Sequence, residues 1–372
     1  ATRRTGTGGR LGLLHLAAAV YNYENSRFCI LSIWCTVTVM FRKPLLFTVP
    51  LIFSTLALVL ASALPSSAQS SHPRIWVTPE DREGLIEKMD NYEWAASLFD
   101  QMRARIEPVV EDHQEDRDAF IRALPLDWKG GTAEHPPLRY IEDGEEDDRW
   151  IIMNYLQEAI ECGIVYYVTG EEAYAQTAAD VMATLVSALA RMERSPNAGN
   201  GGLVYQNNHL KEARIFGAQI PVACDFIYSY VKGGAKVYDV VTGTERDFPF
   251  DDAQKVFKTY VDMAIESGHS GNNWAVLESP SLVQNTLMLD SQAEIDRYLP
   301  YYLNKNTSRQ DPLSVVAQKF SEPGDIWPES FQYSLSVSEI TIKLMALLDR
   351  WDPDLNLGRS EERRVGKECP SP

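Results

Sequence analysis

The chain has 372 residues, 45% of them hydrophobic, with 52 acidic against 35 basic side chains and a formal net charge of −17. So acidic a surface argues against nucleic acid as a partner, because binding to the phosphate backbone needs a basic patch. It does not exclude an anionic substrate, since a local donor-rich cleft outweighs a distant field screened by salt.

Residues 1–39 have no coherent hydrophobic period and read as translated upstream sequence. Met40 then opens MFRKPLLFTVPLIFSTLALVLASALPSSAQ. Arg42 and Lys43 form a positive n-region, Leu45 to Leu60 an apolar run, and Ser66-Ser67-Ala68 a small-residue cleavage site. Residues 40–68 therefore have the layout of a secretory signal peptide rather than of a transmembrane anchor. The expected mature chain begins near Gln69, is periplasmic or secreted, and has no membrane contact after cleavage. At the other end, 358–372 (GRSEERRVGKECPSP) is charged, lacks a hydrophobic face and reads as a non-native tail. The folded part is expected over 69–357.

Within it, HPRIWVTPEDREGLIEKM places Thr78 as an N-cap, Pro79 at the first helical position and acids in the first turn. Trp94, Leu98, Met102 and Ile106 recur every four residues and predict one apolar stripe on a second helix. From about Pro108 to Arg149 the chain is polar and contains Pro and Gly. Its acidic run EDGEEDDR lacks the spacing of a calcium loop and reads as a solvated loop. Residues 150–168 and 171–192 predict a helical hairpin split at Thr169-Gly170, with Tyr174, Ala178, Val181, Leu185 and Leu189 on one face. After an SPNAGNGG loop, YQNNHLKEARIFGAQIPVACDFIYSY begins another long helix. The Gly-containing stretch 233–249 reads as a loop, and Asp251 or Asp252 as the cap of the next helix. A helix after Trp274, a loop through Tyr301 to Pro312, a helix near 313–320 and a last helix from about Tyr333 to Trp351 complete the order. Cys162 and Cys224 both sit in apolar helical context, as buried thiols or as one disulfide. No Cys/His zinc spacing occurs.

Convincing strand alternation is absent between 79 and 351, so the predicted class is all-α. No fixed repeat period points to a solenoid array. Successive helical hairpins of this kind predict an incomplete (α/α) toroid whose mouth is lined by loops at helix ends.

Two stretches share a layout of polar loop, aromatic and helix: GHSGNNWAVLESPSLVQNTLML from Gly268, and GDIWPESFQYSLSVSEITIKLMALLDRW from Gly324. The first puts Asn272, Asn273 and Trp274 at its junction; the second puts Trp327, Glu329 and Tyr333 there. Converging on one rim, they would offer amide donors, a phenol and aromatic walls.

HPRIWVTPEDREGLIEKM resembles the opening of the heparinase II/III-like and alginate-lyase-like polysaccharide lyases. TGEEAYAQTAADVM and ARIFGAQIPVACDFIY resemble their paired helices, and GNNW and IWPESFQY their two active-site segments. The resemblance covers roughly 72–351. It implies the toroid of that family, without the β-sandwich domain that follows it in family members. It also implies β-elimination on a uronic-acid-containing acidic polysaccharide, with no cofactor or metal. Removing the proton beside a carboxylate develops negative charge on its oxygens, and preorganised neutral donors stabilise that charge. Asn273, with Asn272, is the expected donor; Tyr333 is the expected acid and base at the leaving oxygen. Some family members carry Asn-His where this chain has Asn273-Trp274, which leaves the base open between Tyr333, His269 and His209.

Blander roles stand beside these. Asn272 and Asn273 also suit a turn and helix cap, and Tyr333 also suits ordinary packing. His269 also suits a solvated loop. His209, beside Lys211 and Arg214, caps a helix or binds substrate; Glu329 orients Tyr333 or caps the last helix. Trp274 and Trp327 stack on sugar rings or fill the core. A glycoside hydrolase on the same toroid would need two carboxylates across the cleft, with Glu278, Asp325 and Glu329 as candidates. A non-catalytic glycan-binding protein would bind oligosaccharide without turning it over.

Overall fold

The computed structural model describes residues 71–127, 137, 146–196, 200–321 and 324–357. The upstream segment 1–39, the signal-like segment 40–68 and the tail 358–372 lie outside them, as does most of the polar stretch 128–145. The described chain is all-α but for one small hairpin.

Helices α1 (Asp81–Asn91) and α2 (Glu93–Glu115) pack side by side, followed by the short α3 (Arg117–Arg122). The long hairpin α4 (Glu146–Thr169) and α5 (Glu172–Leu189) turns at Gly170, whose φ of +80° is the left-handed conformation that ends helices at glycine. Next come α6 (His209–Glu212), a π-helical turn (Ala213–Gly217) and α7 (Ile220–Lys232), which lies on both α4 and α5. The strands β1 (Val237–Asp239) and β2 (Thr244–Arg246) pair antiparallel. Helices α8 (Phe250–Ser267), α9 (Trp274–Leu287), α10 (Gln292–Leu303), α11 (Leu313–Gln318) and α12 (Phe331–Trp351) follow.

Two helices form the interior. On α5 every residue from Thr177 to Leu189 is buried, and on α9 every residue from Ala275 to Leu287 except Pro280. A helix that is apolar on all sides has to be covered on all sides. Accordingly α5 is flanked by α2, α4, α7 and α8, and α9 by α7, α8, α10 and α12. The buried polar side chains of α5 are satisfied. Asp180 of α5 accepts from His113 Nε2 (2.8 Å), from Arg117 through two nitrogens, and from the backbone N–H of Tyr238 (2.7 Å). These donors hold the Asp180 carboxyl below its usual range against the opposing effect of burial.

The two ends of the described chain meet. Asp225 of α7 accepts from the backbone N–H of Arg74 and Ile75 (2.8 Å each) and pairs with His72 Nδ1 (2.6 Å), which fixes the HPRIW segment. From α12, Arg350 donates to the Ile75 carbonyl (2.8 Å) and lies 3.4 Å from Asp81. The Arg74 guanidinium stacks 5.2 Å above the Trp351 ring.

Several local expectations change. Thr78 does not cap α1 through its hydroxyl; Thr78 donates both its N–H and its hydroxyl to Asp81, and the helix starts at Asp81. Helix α2 runs through Pro108 to Glu115, and its buried stripe is Ala95, Phe99, Ile106, Val110 and His113, leaving Trp94 exposed. The long helix expected after Tyr205 is broken by the π turn ahead of Pro221, which has no N–H to continue the ladder. The stretch 233–249 carries the β1–β2 hairpin, whose three-residue strands are too short to display alternation. Neither Asp251 nor Asp252 caps α8; its N-cap is Pro249, and Asp252 accepts from Ser187 instead. Helix α10, capped by Ser291, lies where the sequence pattern assigns no helix. Cys162 and Cys224 are both free and buried, and burial pushes both thiols well above their usual range.

Candidate functional site

The start of α9 is built by two polar side chains and leaves a third unengaged. Gly271, with φ of +81°, turns the loop and donates its N–H to Asp311. Asn272 Oδ1 accepts from the backbone N–H of Trp274 (2.9 Å), an Asx turn one residue ahead of the N-cap Asn273. Glu329 Oε2 accepts from the backbone N–H of Asn273 (2.6 Å) and from Trp327 Nε1 (2.7 Å). A carboxylate at the positive end of α9 is favoured by the helix dipole. The N–H groups of Asn273 and Trp274 are thereby held without the Asn273 side chain, which makes no hydrogen bond among the described residues although Asn273 is only 6% exposed.

The start of α12 is tied to the same place. Ser330 caps the helix by accepting from the backbone N–H of Tyr333 (3.1 Å), and Ser334 accepts from the backbone N–H of Trp327 (2.7 Å). Glu329 therefore does not cap α12; it bridges the α12 loop to the α9 loop. Tyr333 stands in the first turn of α12 and is 45% exposed, so its phenol faces solvent rather than core. Trp327 is the reverse: it is 1% exposed, stacks on Phe320 and packs with Val276, Val316 and Val337, with Lys319 over its ring. That burial gives Trp327 a core role in place of the sugar-facing wall. Trp274 is half-buried, and Asp325 is exposed.

A second cluster lies around α6. Asn208 caps it by accepting from the backbone N–H of Lys211 (3.0 Å), which places the His209 ring in the interior rather than at a solvated helix head. His209 Nε2 is 3.7 Å from Glu278 Oε1 of α9, and its ring stacks 6.1 Å from that of exposed His269. Burial first, then the charges of Arg194 and His269, pulls the His209 imidazole down to about 4; the Asn200 carbonyl, which favours the charged ring, does not offset them. Burial pushes the Glu278 carboxyl up to about 8, against the pull of Arg194. Arg194 itself donates to the Gly201 carbonyl (2.9 Å), to Glu266 (3.2 Å) and to Ser267 Oγ. Arg214 is exposed and makes no ion pair among the described residues.

Glu212, one turn after His209, holds the preceding loop in place. Its carboxylate accepts from the backbone N–H of Leu203 (3.1 Å), Val204 and Tyr205 (2.9 Å each) and from the Tyr260 hydroxyl (3.0 Å). Gly202 lies against it, where a Cβ would overlap Glu212 Oε2.

Sequence reasoning thus locates the α9 and α12 junctions and His209, but misses Arg194 and Glu212. The His209-to-Glu212 spacing was a usable signal, since residues three apart share a helix face. Arg194 offered none, because its neighbours come from distant segments.

With this geometry in view, comparison with known proteins adds two observations. A family model described as the endo-acting ulvan lyase 2nd domain matches residues 323–365, which begin just before the α12 junction. The "Endo-acting ulvan lyase" of Formosa agariphila (strain DSM 15362 / KCTC 12365 / LMG 23005 / KMM 3901 / M-2Alg 35-1) is 26% identical over 300 residues, covering 78% of this chain and 35% of the relative. The chain spans about a third of the length of that relative. Both likenesses are to a polysaccharide lyase, and neither carries the narrower heparinase II/III-like or alginate-lyase-like affinity suggested by the sequence motifs.

Proposed function

We propose that this chain acts as a polysaccharide lyase, cleaving a uronic-acid-containing acidic polysaccharide by β-elimination. The likeness to an endo-acting ulvan lyase over 300 residues supports the reaction class. The observation that carries the site is the Asn273 side chain, which makes no hydrogen bond among the described residues at a helix start where Asn272 and Glu329 hold the neighbouring N–H groups.

In this reading the Asn273 amide, with the polar start of α9 behind it, receives the substrate carboxylate and stabilises the charge that develops when the neighbouring proton leaves. A preorganised neutral donor suits this role because it does not form an ion pair strong enough to trap the ground state. Tyr333 is the proton donor to the leaving glycosidic oxygen, with its phenol exposed on the helix that Glu329 ties to Asn273. The base is Tyr333 in its ionised form or one of the stacked imidazoles, His269 at the surface and His209 beneath it. Trp274, half-buried after Asn273, and exposed Arg214 are the side chains assigned to sugar and carboxylate binding. The contact of the HPRIW segment with α12 supports a ring of helices closed into an (α/α) toroid. Export is part of the same reading and rests on the signal-like pattern after Met40.

Incubation with ulvan, alginate, heparan sulfate and chondroitin tests the proposal. Elimination leaves a new C=C that absorbs ultraviolet light, so one of these should give a rising absorbance together with shorter chains. Shorter chains with no absorbance would point to hydrolysis. That outcome would have to engage two of Glu278, which is buried, Asp325, which is exposed, and Glu329, whose Oε2 is held by two donors. Oligosaccharide binding without either change would mean a glycan-binding protein.

A further inference from the structure

Four heteroatoms meet in the interior beneath the His269 loop: Nδ1 and Nε2 of His209 and both carboxyl oxygens of Glu278. None has a partner of hydrogen-bond geometry, and both side chains are at most 1% exposed. An ionised carboxylate or imidazolium left in that state costs several kcal/mol per ion. The Nε2 to Oε1 separation of 3.7 Å is just beyond hydrogen-bond reach and within the distance of an ion pair. Glycine at 268 keeps the space beside the carboxyl open, since a Cβ there would stand 3.0 Å from Glu278 Oε2.

We propose that Glu278 and His209 share one proton, carried in the resting protein by the Glu278 carboxyl, so that Glu278 is a positioning residue that keeps the His209 imidazole neutral and orients it. Transfer within the pair breaks the Glu278 O–H bond and forms the His209 Nε2–H bond; no other reactant is needed. The neutral arrangement avoids two buried charges. The ion-pair arrangement becomes accessible when an anionic group arrives above the ring, because the imidazolium then faces a counter-charge. The burial that raises the Glu278 carboxyl and lowers the His209 ring favours the neutral arrangement. The surrounding charges come from several elements: Arg194 after α5, His269 before α9, Arg309 after α10, and Glu266 on α8, which pairs with Arg194. Glu212, on the same short helix as His209, has four donors, yet burial raises its carboxyl to about 7, and Glu278→Gln, which leaves that step in place, separates the two.

The pairing stands independently of the lyase reading, on which only its catalytic consequence rests. The decisive experiment is a pH titration by nuclear magnetic resonance of the full chain, with labelled glutamate carboxyl and histidine ring atoms. The Glu278 carboxyl carbon should remain at its protonated position at pH 7 and move only near pH 8. The His209 ring should sense the same step and titrate itself only near pH 4. In Glu278→Gln the upper step should vanish from the His209 curve while the lower one stays. A Glu278 carboxyl already ionised at pH 7 in the unmodified chain would overturn the proposal without any variant having to fold. So would a His209 curve identical in both proteins. If the chain eliminates a uronate polysaccharide, Glu278→Gln should also move the alkaline limb of the kcat/KM profile by about one pH unit or more. Two-step titration in a chain that eliminates nothing would remove the lyase reading and leave the pair in place.

Discussion

At the scale of single residues, the two asparagines at the start of α9 show how adjacent identical side chains divide labour. Asn272 spends its oxygen on the Trp274 N–H, while the Asn273 amide is left over because Glu329 reaches across from the α12 loop to take the Asn273 N–H. Under the lyase reading, Asn273→Ala should cost about 3 kcal/mol of transition-state stabilisation, as for a lost oxyanion donor. Tyr333→Phe keeps an exposed ring and loses only the hydroxyl, so the melting temperature should hold while kcat falls by roughly 10²-fold or more. Because both groups act on one transition state, the double variant should lose less than the two separate losses combined. A double-mutant cycle of kcat/KM with melting controls measures this. Near-normal turnover by Tyr333→Phe would transfer the proton chemistry to His269 or His209. Asn272→Ala, by contrast, should register as one lost turn hydrogen bond of about 1 kcal/mol in stability.

At the scale of elements, the loop before α6 is shaped by a side chain that follows it. Glu212 gathers three successive N–H groups from Leu203 to Tyr205, and the fold leaves room for this only because position 202 has no Cβ. Gly202 has an ordinary φ, so the requirement is space rather than backbone conformation. Gly202→Ala should therefore cost about 1–3 kcal/mol, the usual range for overpacking a filled interior, and should loosen the loop that carries Asn200 and Gly201 toward His209 and Arg194. Denaturant unfolding and hydrogen exchange of the 203–205 amides are the measurements. Unchanged protection of those amides would show that the loop does not depend on the carboxylate.

At the scale of the whole molecule, the HPRIW segment joins α7 to α12, the two elements that flank it. Asp225 fixes it from one side and Arg350 from the other. Replacing Arg350 with Ala removes one charge-assisted hydrogen bond to a carbonyl and a partly exposed ion pair. The expected loss is about 1–2 kcal/mol, nearly all of it from the hydrogen bond, because exposed pairs contribute little. Amide exchange should quicken at the start of α1 and the end of α12 and stay unchanged in α5. A uniform loss of protection across all helices would instead mean that the ring of contacts opens as one unit.

How much of this was legible in the sequence depended on whether the deciding interaction was local. Helix period, the glycine that ends α4, and the polar-loop-to-helix junctions at Asn273 and Tyr333 are set by neighbours within one or two turns, so composition and spacing determined them. The all-α class followed, and the face Tyr174, Ala178, Val181, Leu185 and Leu189 is buried as its spacing implied. Tertiary structure decided the rest, because burial is a property of what arrives from elsewhere. Apolar pattern alone put Trp94 inside and left Trp327 open between a sugar-facing wall and the core. In the fold Trp94 is exposed and Trp327 is covered, while Phe331, Leu335 and Ile342 of α12 are more than half exposed. The division of roles between Asn272 and Asn273 awaited a carboxylate 56 residues away, and the unpaired meeting of His209 with Glu278 joined segments with no common local signal. Chain connectivity fixes which groups are near in sequence; only the packing of α6, α9 and α12 fixes which lose water together, and for ionisable groups that loss sets the chemistry.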